Sequence, residues 1–143
     1  MTTIAIPGDF TLEKVLAFAN KLDSVEACDE YVFDFQATGY ITAFGMLFIS
    51  NAIRTFVNNH PGSSSTAINC NNFYAGHMGF YQACGFDIGK LPGEANGSQR
   101  YLPITILPIS ELQEEARKEY LEIGEVVERR SKLLSQVLTQ QED

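Results

Sequence analysis

Few side chains in this sequence combine a reactive group with a setting in which it could react. Asp34 closes an apolar run that begins at Tyr31, and the stretch DFQATGYITAFGMLFISNAIRTF then turns at Gly39 and becomes helical. A helix start after a strand, here Thr42, Ala43, Phe44 and Gly45, is a place for a nucleophile, a phosphate or a partner contact. The Thr42 hydroxyl can cap that helix by accepting an amide hydrogen bond. Ser63 to Ser65, His60 or His77, and Asp34 supply the residue types of a Ser-His-Asp set, without the GxSxG elbow that presents such a serine. Asp34 is instead expected to be a strand-end residue bonded to local backbone amides. Cys84 and His77 are seven residues apart, so one helix would place them on one face as a thiol–imidazole dyad. The apolar and aromatic neighbours of Cys84 favour an inert core thiol. Asn69, Asn71 and Asn72 follow a strand and read as turn residues, with a small polar pocket beside Thr42 as the alternative. Cys28, Cys70 and Cys84 are widely spaced with no CxxC, and the two histidines stand in unrelated contexts. No metal site and no cofactor is expected from them.

The elements that must position these residues follow from length, charge and periodicity. The 143 residues suit one domain with an appendage, long enough to bury a core without staples. A net charge of −8 repels phosphate backbones, which argues against nucleic-acid binding. Met1 to Phe10 has no basic start and no long apolar run, and the stretch near Ile41 to Ile49 is too short to span a bilayer. These features, with unpaired cysteines, predict a cytoplasmic protein without a membrane segment.

TIAIPGDF alternates as a short strand ended by Pro7 and Gly8. Thr11 is a candidate N-cap for a helix whose Leu12, Val15, Leu16, Ala19 and Leu22 recur at helical spacing. DEYVFDF is nearly continuous in apolar residues, as in a strand buried on both faces. A helix from about Ala43 to Asn58 follows, with Met46, Leu47, Ile49, Ser50, Ile53, Phe56 and Val57 inward and Pro61 and Gly62 as stops. SSTAINC reads as a third strand of the same buried type. NNFYAGHMGFYQACGF reads as a helix ending at Gly85, weakened by Gly76 and Gly79. DIGKLPGEANGSQR is a loop. YLPITILPIS, held between prolines, is an edge strand or an extended connection. From Ser110 the chain becomes charged and helical, with Ser110 and Gln113 in capping-box positions. Residues 111–143 hold nine acids and five bases, a net of −4 and so half of the whole charge. Leu112, Ala116, Tyr120, Ile123, Val127, Leu134 and Val137 or Leu138 trace an apolar stripe, interrupted by Arg130 and divided or bent at Gly124. The expected fold is therefore α/β, with residues 1–109 as the domain and 110–143 as a charged helical tail or linker. The tail packs either on its own domain or on a twin, giving a homodimer through the C-terminal helix.

The element order and the stretch YVFDFQATGYITAFGMLFISNAIRTF resemble a STAS domain, the fold of the anti-sigma factor antagonists, over roughly residues 1 to 90. That resemblance implies a mixed, mostly parallel sheet of four to five strands with helices packed on it. Such domains carry a buried strand ending in Asp, a turn, and a helix start of Asp-Ser-x-Gly type. The strand Asp falls on Asp34, the motif Gly on Gly45, the motif Asp on Thr42 and the phosphorylatable Ser on Ala43. A methyl group cannot be phosphorylated, so the family's switch is lost at Ala43. Thr42 becomes a candidate phosphoacceptor, with the cap as its simpler role. NNFYAGHMGFYQACGF is similar to the family's closing helix. The tail resembles the segment that, in some bacterial proteins, joins a STAS-like domain to a GHKL-type histidine-kinase-like ATPase; no Asn-box or nucleotide lid is present here. The resemblance implies a non-catalytic regulatory module in signal transduction, docking a kinase-like ATPase or an anti-sigma-type partner in cis or in trans. Its partner surface would be Thr42, Ala43, Phe44, Gly45 and Met46 with Asn71 and Asn72.

A rival resemblance is carried by FYQACGF, similar to the FYxxxGF signature of GNAT acetyltransferases. It would imply acetyl-CoA binding and a V-shaped splay between central strands. The glycine-rich phosphate cradle of that family is missing upstream. A plain oligomerisation domain is the third reading.

Overall fold

The computed structural model describes residues 1–92, 94–95 and 104–139, with side chains through 132. Strand β1 (Thr2–Ala5), helix α1 (Leu12–Asp23), strand β2 (Glu30–Asp34), helix α2 (Ala43–Asn59) and strand β3 (Ser64–Ile68) follow one another. The order in the sheet is β1-β2-β3, and both pairings are parallel. Parallel crossovers are right-handed. Two consecutive crossovers that advance in the same direction therefore set α1 and α2 on the same face of the sheet.

The register shows this one-sidedness residue by residue. The row Ile4–Phe33–Ala67 points toward the helices, and Ile4 and Phe33 belong to the main core with Val15, Phe18, Ile49 and Ile53. The alternate rows, Thr3–Val32–Thr66 and Ala5–Asp34–Ile68, are exposed or half-buried. Neither β2 nor β3 is thus buried on both faces, as the sequence suggested. The apolar run of β2 alternates: Tyr31, Phe33 and Phe35 are buried while Val32 and Asp34 are not. Three strands form the sheet among the described residues, all parallel, in place of the four to five of a mixed sheet. Residues 104–108 have no strand pairing; Ile104 is tied to Met78 by its amide, N to O 3.0 Å. Residues 101–103 of the expected edge strand lie outside the described residues.

Helix α1 buries Val15, Phe18 and Leu22, while Leu12 and Leu16 are exposed, so its inner stripe is shifted from the one expected. Thr11 precedes the helix without a side-chain cap. In α2 the inner stripe is Met46, Ile49, Ser50, Ile53 and Phe56; Leu47 faces solvent. The weak closing helix is two short ones, α3 (Phe73–His77) and α4 (Phe80–Cys84), divided at Gly79 with φ 80°. The α4 side chains Phe80 and Tyr81 meet Phe35 edge-on at ring-centroid distances of 5.9 and 5.2 Å, and Phe10 meets Phe80 at 5.5 Å. These rings form a firm floor beneath the loops at the carboxyl ends of the strands.

The tail is a helical hairpin, α5 (Ile109–Glu119) and α6 (Ile123–Thr139). It has its own small core of Leu112, Ala116 and Val126 flanked by Leu107 and Leu121. Ile104 still belongs to the main core, so the two cores divide between Ile104 and Leu107. The chain reverses at Tyr120, which has φ 55° and is 97% exposed. That reversal removes Tyr120, Ile123 and Val127 from the expected stripe and puts the fully buried Val126 there instead. Gly124 neither bends nor divides the helix: it lies within α6. Arg130, the interruption in the stripe, turns with Arg129 toward Glu115 across the hairpin. Helix α5 starts at Ile109 after Pro108, so Ser110 is in its first turn and not at its cap. Leu134, Val137 and Leu138 have side chains outside the described ones. Among the described residues no helix is long and apolar enough to cross a membrane.

Candidate functional site

In a parallel sheet the loops after the strands gather at one end, which is where open α/β folds present their sites. Here the loops after β1 and β2 are fastened to each other by backbone bonds, and the loop after β3 is tied to them by side chains. Gly39 N–H donates to Gly8 O (2.9 Å) and Phe10 N–H to Tyr40 O (2.9 Å). Thr42, at the start of α2, completes the clasp: its hydroxyl accepts from Gly45 N–H (3.0 Å) and donates to Phe10 O (3.0 Å). The cap role is therefore present. A phosphate ester at Thr42 would remove the hydrogen that Phe10 O accepts.

Gly45 is required by close approach. A Cβ there would lie 2.3 Å from Phe10 Cβ and 2.9 Å from Phe10 O. Gly45 and Met46 (1% exposed) are both buried, so neither belongs to a partner surface. The helical period explains this: Met46 shares a face with Ile49 and Ile53, whereas Ala43, Phe44 and Leu47 lie outward.

The third loop joins the same assembly. Asn69, in the left-handed region at φ 57°, donates from Nδ2 to Asp34 Oδ1 (2.8 Å), and Gln36 N–H donates to the same oxygen (2.9 Å). These two bonds, Asn69 first, hold the Asp34 carboxyl below its usual range. Asn72 caps α3 by accepting from Ala75 N–H (3.0 Å), and its Nδ2 donates to Gly39 O (3.2 Å). The asparagines are thus turn residues with structural duties, as preferred from the sequence. Asn71 is exposed beside them.

What this clasped platform presents is apolar. Tyr40, Phe44, Leu47 and Phe73 are all exposed, Phe44 at 52% and Phe73 at 95%. The Phe44 ring leans on Phe48 at 5.8 Å between centroids. Tyr40, Leu47 and Phe73 were absent from the expected surface. Their signal was the unpaired apolar residue on the outer face of a helix or at a loop tip.

No protein-family model, no curated protein and no solved structure matches this chain.

The catalytic sets drawn from sequence are not gathered. Ser63 and Ser64 lie at the start of β3, where their hydroxyls donate to Cys28 O (2.6 Å) and Asp29 O (3.4 Å). His60 is at that end too, its Nδ1 within 2.7 Å of Phe56 O. Asp34 is at the opposite end of the sheet. Cys84 and His77 belong to different helices, so the one-face argument for a dyad fails. Cys84 is buried in the core, where desolvation pushes its thiol far up and keeps it protonated. Burial, with the Asp34 charge nearby, likewise pushes Cys70 up to about 11. Among the described residues no three His, Cys, Asp or Glu side chains converge as metal ligands. The acetyltransferase reading expects a strand splay; β2 and β3 instead pair along their whole lengths, and Phe35 N–H extends the ladder to Ile68 O (3.1 Å).

Proposed function

We propose that this chain is a non-catalytic, STAS-like regulatory module that docks a protein partner at the carboxyl end of its sheet. The observation that carries the reading is the exposed set of Tyr40 on the loop after β2, Phe44 and Leu47 on the first turns of α2, and Phe73 at the start of α3, on a backbone clasped by Thr42 and Asn72. Large aromatic side chains held out on a rigid backbone lose little freedom on binding and serve as anchors. The surface proposed is Thr42, Ala43, Phe44, Asn71 and Asn72, extended by the three added residues and without Gly45 and Met46. The partner is a kinase-like ATPase of the GHKL type, in the same polypeptide or another, in the cytoplasm. Residues 1–109 form the docking domain, and 110–143 the linker.

The test is capture from the chain's own cell extract, with and without ATP, read by mass spectrometry. Recovery of such an ATPase by wild type, and its loss with Phe44→Asp or Leu47→Lys variants that keep wild-type circular dichroism, is the expected result. Equal capture by wild type and both variants would sink the surface, and recovery of no ATPase would sink the partner. Exposed Ile109, Ile123 and Val127 on the hairpin favour a second reading, dimerisation through the tail. Light scattering of the full chain and of a chain ended at Ile109 reads that directly.

A further inference from the structure

Sharing Asn71, Asn72 and Phe73 with the docking surface, a cavity of about 460 Å³ lies between the loop after β3 and the segment after α4. Its size falls in the range of small-molecule sites. Three features give it a chemical character. First, part of its wall is apolar: the Tyr81 ring, Ile88, and the backbones of Gly76 and Gly89. Gly89, at φ 75°, approaches so closely that a Cβ on it would lie 2.7 Å from Gly76 O. Lys90 N–H donates to that same carbonyl at 3.0 Å. The wall is thus held by backbone contacts that a side chain at residue 89 would break.

Second, three of the polar groups that line it, Tyr81, Lys90 and Asn71, have donor capacity to spare, while Asn72, Cys70 and His77 are already engaged. The Tyr81 hydroxyl accepts from Asn72 N–H (3.2 Å) and donates to no group among the described residues. Burial raises the pKa of that phenol, so it keeps its hydrogen. The Lys90 ammonium and the Asn71 amide also have no side-chain partner among the described residues. Third, no carboxylate lines the cavity among the described residues, although the chain carries a net charge of −8. The acids around it are engaged elsewhere: Asp34, whose charge reaches Cys70, accepts from Asn69 and Gln36, Asp87 accepts from Gln82 Nε2 (2.9 Å), and Glu94 accepts from Leu91 N–H (2.8 Å).

From this we infer that the cavity binds a small organic carboxylate with a compact apolar body. The carboxylate lies against Lys90, the Tyr81 hydroxyl and Asn71, and the apolar body rests on Ile88 and the Gly76–Gly89 wall. An ammonium and a neutral phenol together favour an anionic acceptor over a neutral one. Binding is non-covalent, since the thiol at the rim, Cys70, stays protonated at neutral pH. The inference does not depend on the docking reading, because it concerns the full chain without a partner.

The probe is 3-phenylpropionate, titrated into the full-length 15N-labelled chain, with 3-phenylpropanol and 3-phenylpropylamine as matched neutral and cationic controls. Saturable amide shifts confined to residues 70–77 and 88–91 are expected for the carboxylate, with a dissociation constant on the order of a few millimolar for so small a probe. The alcohol should bind several-fold more weakly and the amine not at all. Lys90 is exposed, so Lys90→Met leaves the fold intact and should weaken the carboxylate roughly three- to fivefold, as a solvent-exposed charge contact does. Shifts that fail to saturate, or that lie elsewhere, overturn the site. Equal affinity for the alcohol or the amine, or unchanged affinity in Lys90→Met, overturns the carboxylate assignment.

Discussion

Replacing Thr42 with valine keeps the branched shape and deletes one oxygen, and the structure says what that oxygen does. It accepts from Gly45 N–H at the start of α2 and donates to Phe10 O in the loop after β1. Loss of the cap costs about 1 kcal/mol. Loss of the second bond, with Phe10 O left unpaired next to a buried residue, costs about 1 kcal/mol more. The sum of roughly 2 kcal/mol corresponds, for a chain of this length, to about 4–8 °C in Tm. The assay is urea and thermal denaturation followed by near-ultraviolet circular dichroism, which reports on the buried Tyr31 and Tyr81 of the α/β core. Thr42→Ser retains both bonds and should fall within about 0.5 kcal/mol of wild type. A serine variant as unstable as valine would show that the methyl group matters, not the clasp. A valine variant within about 0.5 kcal/mol of wild type would refute the two-bond argument outright.

Three further outcomes follow from the same geometry. Gly45→Ala gains about 1 kcal/mol of helix propensity but forces a Cβ into Phe10, so a net loss of roughly 1–2 kcal/mol is expected in the same denaturation assay. Tyr120→Gly relieves a left-handed non-glycine residue with almost no packing to lose, and should stabilise the α5–α6 hairpin by about 0.5–1 kcal/mol, read as retained helicity on heating. The Glu115 carboxyl is held below its usual range by hydrogen bonds from Arg130 and then Arg129. A depressed folded-state pKa means that this contribution is present above the unfolded value and is lost as pH falls through the folded one. Acid titration should therefore weaken the hairpin below the ordinary glutamate range, and Glu115→Gln should flatten that dependence at every pH where wild type shows it.

The order of strands and helices through Ile68 was legible because each element carried its own period and its own stop signal. Gly79 was legible as a weak point in the closing helix and proved to be its break. The Thr42 cap was legible from its hydroxyl at a helix start. Other features needed the third dimension. Val32 looks like a core residue in an apolar run, yet the direction of two crossovers leaves its side of the sheet uncovered. Met46 stands two residues from Phe44 in the sequence, and that helical spacing separates them onto opposite faces. The tail stripe puts its bend or division at Gly124; the reversal falls at Tyr120 instead, where no glycine or proline announces it. Glu115, Arg129 and Arg130 come together only because of that reversal.

The strand order has a consequence for how the sheet is built. Each new strand joins the edge left by the one before it, so no pair ever has to open to admit a later segment. The sheet can grow in the direction in which a ribosome delivers it, and β2, carrying Tyr31 and Phe33 and followed by Phe35, is the first strand to give α1 and α2 an aromatic surface. Folding should then proceed vectorially. Pulse-labelled hydrogen exchange during refolding would find amides of β1 and β2 protected before those of β3, and simultaneous protection of all three strands would argue for a single concerted step.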